Sequence, residues 1–111
     1  MYIKHFKDIS YKDVGVAGGK GASLGEMTRA GVPVPPGFVL LAPSFDHFLK
    51  ETNLNVEIDS ILKKVKHEDM ETVERASEKI QALIMKAKMP KDIGDGLRAE
   101  FKKLKASLVA V

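Results

Sequence analysis

Apolar side chains recur at helical spacing in three segments of the second half of the chain. The recurring positions are Ile58, Ile61, Leu62 and Val65 in the first segment, Val73, Ala76, Ile80, Leu83, Ile84 and Ala87 in the second, and Ile93, Leu97, Phe101 and Leu104 in the third. An interval of three or four residues places apolar side chains on one face of a helix. The pattern therefore predicts three amphipathic helices, the second over residues 68–88 and the third after Pro90.

Strand signals occur near both ends of the chain and in its middle. Residues 2–6 alternate weakly between apolar and polar side chains, and the unbroken apolar run 38–41 is typical of a strand covered on both faces. Residues 107–111 end the chain in an apolar segment that we expect to be β-like. The polar residues 7–15 predict a loop between the first strand and a glycine-rich segment.

Two further helices are predicted in the first half of the chain. One covers residues 20–30 and stops at Gly31, because glycine readily adopts the positive φ that ends many helices. Its inward stripe consists of Leu24, Met27 and Ala30. The other helix begins near Pro43, since proline suits the first helical turn. These elements predict a mixed α/β (α+β) fold, with a small β-sheet and four to five helices, in a single domain over residues 1–111.

The glycine-rich segment at the start of the helix over residues 20–30 carries the candidate chemistry. Gly18, Gly19 and Gly21 surround one lysine, Lys20. Glycines let a ligand approach the main chain closely, and the N–H groups of a first helical turn favour an anion. The lysine adds a mobile positive charge. The segment therefore predicts a phosphate-binding site formed by Lys20 and the three glycines.

Two common glycine fingerprints do not fit this segment. A P-loop requires a glycine where Val14 stands, and a Ser or Thr after the lysine, where Gly21 stands. The dinucleotide-binding pattern read from Gly19 requires a small residue at the position of Leu24. Residue chemistry alone therefore leaves two interpretations open, a phosphate-binding site and a flexible turn with a surface lysine.

The sequence GGKGASLGEM, followed by AGVPVPPGF, resembles the start of the nucleotide-binding domain of phosphoenolpyruvate synthase. It is also similar to pyruvate phosphate dikinase and, more distantly, to rifampicin phosphotransferase. The resemblance implies an ATP-grasp-like fold in which the lysine of this segment, here Lys20, contacts the phosphates of ATP. Ser23 agrees with the synthase form of the motif. The close match covers residues 16–38, and the looser pattern of helices and strand covers nearly the whole chain.

The resemblance also implies a reaction. The intact family transfers phosphoryl groups from ATP, with Mg²⁺, through a histidine to pyruvate, and releases AMP and phosphate. The sequence stops just before the family's Arg-Ser-Ser motif, so we expect an N-terminal part or a truncated relative that has no dikinase activity by itself. None of its histidines, His5, His47 and His67, lies in a phosphohistidine context.

Composition narrows the range of partners. Eighteen Lys and Arg residues against 15 Asp and Glu residues give a formal charge of +3 that is spread along the chain. This excess favours anionic ligands and does not indicate a nucleic-acid surface. The sequence has no cysteine and no apolar run near the roughly 20 residues that a membrane span needs. We therefore expect a cytoplasmic protein with neither a nucleic-acid partner nor a membrane partner, and no His or carboxylate spacing indicates a metal site.

Two other functions remain open. A small interaction module would pair its apolar residues 107–111 with a second copy or with the remainder of a dikinase chain. The other is phosphoryl transfer to an antibiotic, as in rifampicin phosphotransferase, because the resemblance implies that acceptor recognition lies outside these residues.

Overall fold

The computed structural model describes residues 2–111, and within this range it contains two strands and five α-helices. The strands are β1 (Ile3–His5) and β2 (Phe38–Leu40), and the helices are α1 (Val14–Arg29), α2 (Ala42–Glu51), α3 (Leu54–Lys63), α4 (Met70–Lys86) and α5 (Lys91–Leu104). The predicted α+β class, with a small sheet, is confirmed. The ATP-grasp-like arrangement stays a prediction.

The two strands pair antiparallel, with Lys4 opposite Val39. The N–H of Leu41 donates to the Tyr2 carbonyl at 2.7 Å, and the N–H of Phe6 donates to the Gly37 carbonyl at 3.0 Å, so pairing extends beyond both ends of the ladder. The prediction that the strand after residue 37 is covered on both faces was wrong. Leu40 is 39% exposed, because a two-stranded sheet offers too few neighbours to cover every side chain.

The predicted loop over residues 7–15 contains regular structure instead. Two 3-10 turns, Phe6–Asp8 and Tyr11–Asp13, lead into α1 at Val14. The second turn carries a capping box, in which the Ser10 N–H donates to Asp13 Oδ2 at 2.9 Å and the Lys12 N–H donates to Ser10 Oγ at 3.3 Å. These local bonds satisfy backbone donors and fix the entry to α1.

The predicted inward stripe of α1 was also wrong. Met27 is 39% exposed and Ala30 is exposed, whereas the buried residues of α1 are Gly21, Ala22 and Gly25. At Gly25 an added Cβ would lie 2.8 Å from the carbonyl carbon of Ile9, a fully buried residue. The helix therefore approaches its neighbours through its smallest residues. The predicted stop is confirmed, since Gly31 follows the helix with a φ of 84°.

The chain divides into two compact units. The first comprises residues 2–46 and 91–111, and its buried apolar residues are Ile9, Ala22, Leu41 and Ile93. The second, His47–Pro90, has Phe48, Leu54 and Ala76 buried, and α3 contacts α4 there. The single-domain prediction for residues 1–111 stays a prediction.

The three helices predicted in the second half are confirmed as α3, α4 and α5. The helix predicted over residues 68–88 is two residues shorter at each end. The Asp69 side chain accepts from the Glu71 N–H at 3.1 Å and caps the start of α4, and the extended backbone of Ala87 follows its last residue. The β-like prediction for residues 107–111 was wrong. The structure has no strand in this segment, where Leu108 is 90% exposed and has no neighbouring strand to pair with.

Candidate functional site

The glycine-rich segment lies inside α1, where Gly18 breaks the helix. Gly18 has a φ of 75° and a ψ of 170°, while helical geometry holds on both sides of it. This region of backbone space is open almost exclusively to glycine, because a Cβ would collide with the main chain. The break means that a second helical segment begins directly after Gly18, close to the predicted start at residue 20.

A helical segment that restarts after a break has free N–H groups in its first turn. Gly19 and Lys20 are the first residues after the break, where a helix N-terminus carries partial positive charge. The Lys20 side chain is exposed, and among residues 2–111 it has no hydrogen-bond or ion-pair partner. An exposed ammonium group beside the first turn of a helical segment is an arrangement that can hold a phosphate.

The three glycines of the segment differ in their surroundings. A Cβ added at Gly18 or Gly19 would meet no atom within 4 Å. A Cβ added at Gly21 would lie 3.1 Å from Val39 Cγ2 and 3.2 Å from the Cβ of Ala17. Gly18 and Gly19 therefore leave the backbone accessible, whereas Gly21 is buried against β2.

An open depression of about 520 Å³ lies beside the other end of α1. It is lined by Ser10, Tyr11, Lys12, Glu26, Arg29 and Ala30. Arg29 is partly fixed there, since its Nε donates to the Ile9 carbonyl at 3.1 Å. Lys20 does not line this depression. The sequence pattern did not predict the depression, because the residues that line it come from two separate segments of the chain.

Asp13, the residue before α1, is held by two partners. The Ser10 N–H bond lowers the pKa of its carboxyl group, and Lys4, whose Nζ lies 3.5 Å from Oδ1, lowers the pKa further. The charged carboxylate therefore keeps the 3-10 turn in place and ties β1 to the start of α1.

A second polar contact joins β1 to α5. His5 Nε2 lies 2.6 Å from Glu100 Oε2, and the His5 ring also meets Phe38 edge-on at a centroid distance of 6.0 Å. Lys103 bonds the other Glu100 oxygen at 3.2 Å and, more than His5, lowers the pKa of Glu100. Sequence reasoning missed this pair, because its members lie 95 positions apart and neither belongs to a recognisable motif.

Metal ligands do not cluster within residues 2–111, where no group of three or more His, Asp or Glu side chains could hold an ion. His47 Nε2 lies 3.9 Å from Glu51 Oε1 on α2, and His67 is exposed.

Within residues 2–111, no helix is both long enough and apolar enough to cross a membrane.

The sequence matches a protein family described as the AMP/ATP-binding domain of pyruvate phosphate dikinase, over residues 14–111. It is 46% identical over 103 residues to a probable phosphoenolpyruvate synthase of Methanocaldococcus jannaschii, covering 93% of this chain and 9% of that protein. It is 41% identical over 92 residues to a probable phosphoenolpyruvate synthase of Methanothermobacter thermautotrophicus, covering 83% of this chain and 14% of that protein.

A more distant relative is the phosphoenolpyruvate synthase of Pyrococcus furiosus, which is 30% identical over 135 aligned positions. That match covers 93% of this chain and 16% of the relative. The chain thus spans between 9% and 16% of the length of these three relatives.

Proposed function

We propose, on the premise that this chain belongs to the phosphoenolpyruvate synthase and pyruvate phosphate dikinase family, that Lys20 and the backbone beside it bind the phosphates of ATP. The family match supports an AMP/ATP-binding N-terminal domain. It covers the whole glycine-rich segment, and the assignment of the turn formed by Gly18, Gly19, Lys20 and Gly21 as the phosphate-binding segment is our proposal.

The observation that carries this proposal is the helix break at Gly18 followed by an exposed Lys20. The break brings a new helix N-terminus to the surface, and the lysine adds a full charge at the same place. The Lys20 ammonium group is not needed to hold the fold together, because it has no partner within residues 2–111. A polyphosphate would supply the missing partner.

In a protein of the relatives' length, we propose that this site takes part in converting pyruvate to phosphoenolpyruvate at the expense of ATP. Lys20 would offset the negative charge of the ATP phosphates and fix their position during the first phosphoryl transfer. The remainder of such a chain, whose relatives are several times longer, is the partner that would supply the phosphoryl carrier and the acceptor site. We propose that residues 1–111 form part of a single nucleotide-binding domain there.

Magnesium ions accompany ATP in reactions of this kind. The described residues do not provide a cluster of carboxylates that would bind one. Mg²⁺ commonly binds through phosphate oxygens with few protein ligands. We therefore assign no residue of this chain to the metal, and the proposed role of Lys20 does not depend on one.

Titration of ATP into the Lys20→Ala variant tests the proposal. A hydrogen bond to a charged group contributes about 1.5–3 kcal/mol, so the dissociation constant should rise at least about tenfold. Calorimetry gives the constant, and Lys20→Arg should retain part of the affinity because it keeps the charge.

Lys7→Ala is the matched control, since it removes another exposed lysine of the same unit. Its ATP affinity should equal that of the unchanged protein. Equal affinities for the unchanged protein and Lys20→Ala would refute the site, and absence of ATP binding by the unchanged 111-residue chain would refute the proposal for this chain.

The interaction module that pairs through residues 107–111 has no such support. These residues form no strand in the structure, and their pairing with a second copy or with the remainder of a dikinase chain stays a prediction.

A further inference from the structure

Helix α1 meets strand β2 at Gly21. The position of a Cβ at this residue lies 3.1 Å from one methyl group of Val39 and 3.6 Å from the other. Contacts near 3.1 Å are too tight for ordinary carbon atoms, whose optimal separation is about 3.5–4.0 Å. The helix can lie this close to the strand only because residue 21 has no side chain.

The same helix has a second close contact one turn later. At Gly25 an added Cβ would lie 2.8 Å from both the carbonyl carbon and the Cβ of Ile9. Residues four positions apart lie on one face of a helix. Gly21 and Gly25 therefore hold one face of α1 against β2 and against the segment before α1, which fixes the rotation of the helix about its axis.

This rotation decides where the residues before Gly21 point. Successive residues of a helix are turned by about 100°, so the neighbours of a residue that faces the strand point elsewhere. The exposure pattern agrees, because Gly19 and Lys20 are exposed while Gly21 and Ala22 are buried. The contact with Val39 thus leaves Gly19 and the Lys20 side chain on the exposed side of the helix.

We infer that Gly21 is a positioning residue, which orients the phosphate-binding turn through its contact with Val39 and does not itself contact the ligand. The inference rests on the proposed ATP site at Lys20. It assigns different tasks to the glycines of the motif. Gly18 breaks the helix, Gly19 leaves the backbone open, and Gly21 sets the orientation of the segment against the sheet.

The test is ATP titration of Gly21→Ala, with Gly15→Ala as the matched control. Both variants add one methyl group to α1, but a Cβ at Gly15 meets no atom within 4 Å. We expect Gly21→Ala to bind ATP about fivefold more weakly or worse, because the methyl group pushes the turn away from Val39. Gly15→Ala should bind ATP as the unchanged protein does.

Rescue separates positioning from a general loss of stability. In the double variant Gly21→Ala with Val39→Ala, both Val39 methyl groups are removed, and of the three close atoms only the Ala17 Cβ, at 3.2 Å, stays near the new methyl group. ATP affinity should therefore return to within about twofold of Val39→Ala alone. Ala76→Gly destabilises the other unit, and its ATP affinity should not change while the protein stays folded. The inference is overturned if Ala76→Gly lowers the ATP affinity as much as Gly21→Ala does. It is also overturned if adding Val39→Ala to Gly21→Ala does not restore the ATP affinity.

Amide NMR shifts of the ligand-free protein distinguish this inference from the proposed function. The amide signals of Gly19 and Lys20 should move in Gly21→Ala and return in the double variant. If the unchanged protein does not bind ATP, the proposed function fails, and these shifts still report whether Gly21 orients the turn. If the unchanged protein and Gly21→Ala bind ATP equally well, the proposed function stands and the positioning role is refuted.

Discussion

Gly18 interrupts helix α1 with a backbone conformation outside the helical region. Its φ of 75° and ψ of 170° fall in a region that residues with a Cβ almost never occupy. No neighbouring side chain lies within 4 Å of the position of its Cβ, so crowding does not explain the glycine. The glycine is required by its own backbone geometry, which creates the helix restart beside Lys20.

Gly18→Ala should therefore destabilise the protein by about 1–3 kcal/mol, the usual cost of forcing a residue into such a region. Urea unfolding followed by circular dichroism measures the change. Gly15→Ala should be neutral or stabilising, because this position has no positive φ and an alanine favours the helix. Equal stability of the two variants would contradict the requirement for glycine at position 18.

Glu100 is, with Asp13, one of two carboxylates whose titration should be visible in the acid stability of the protein. Its carboxylate bonds Lys103 and His5, and its pKa is lowered from the ordinary value of 4.5. A carboxylate with a lowered pKa in the folded state stabilises the fold fully above its ordinary pKa. That contribution is lost as the pH falls from 4.5 through the lowered pKa.

Glu100→Gln should therefore lower the melting temperature at pH 7 and reduce its dependence on pH below 4.5. Thermal unfolding between about pH 3 and pH 7 gives both quantities, a window that brackets the ordinary carboxylate pKa. Asp95→Asn is the control, since it removes a negative charge from the same helix without touching His5 or Lys103. A steep acid transition that is unchanged in Glu100→Gln would assign the pH dependence to other carboxylates.

At the scale of elements, α1 is built differently from α3, α4 and α5. Those three helices follow an apolar stripe that can be read from the sequence, whereas α1 buries glycine and alanine. Small residues let a helix approach backbone closely, and here α1 approaches the main chain at Ile9. Its packing depends on the absence of side chains, which hydrophobic periodicity does not detect.

Gly25→Ala should destabilise the protein by about 1–3 kcal/mol, because the added methyl group overlaps the main chain of Ile9 and a backbone cannot yield as a flexible side chain can. Chemical denaturation at 25 °C measures the loss. Gly19→Ala provides the comparison in the same helix, where the new methyl group meets no atom within 4 Å. A smaller loss for Gly25→Ala than for Gly19→Ala would show that α1 can move away from Ile9 without cost.

At the scale of the whole molecule, the chain corresponds to a small part of the length of its relatives. It spans between 9% and 16% of three phosphoenolpyruvate synthases, and its family match is to an AMP/ATP-binding domain. Binding ATP and turning it over are therefore separate questions for this chain.

Purified residues 1–111, given ATP, pyruvate and Mg²⁺, should form no AMP above the rate of a blank without protein. Within the described residues, His5 is engaged by Glu100 and no set of carboxylates is arranged to hold a metal ion. Chromatography of the nucleotides after incubation provides the measurement. Pyruvate-dependent formation of AMP would show that the chain by itself carries a complete dikinase site.

The sequence by itself determined the helices of the second half, the two strand segments near residues 3 and 39, the stop at Gly31 and the family. These features depend on local preferences or on a contiguous motif, so neighbouring residues suffice to specify them. The sequence also identified the glycine-rich segment around Lys20 as the candidate site. It assigned the same kind of role to all the glycines there.

Only the tertiary structure decided which of those glycines opens the backbone and which packs, because the difference lies in Val39, a residue 18 positions away from Gly21. The same holds for the buried face of α1 and for the His5–Glu100 contact, whose partners are distant in the chain. Residues 107–111 are an apolar run that forms no strand in the structure. A strand needs a neighbouring strand to share its backbone hydrogen bonds, and the local sequence does not determine whether one is present.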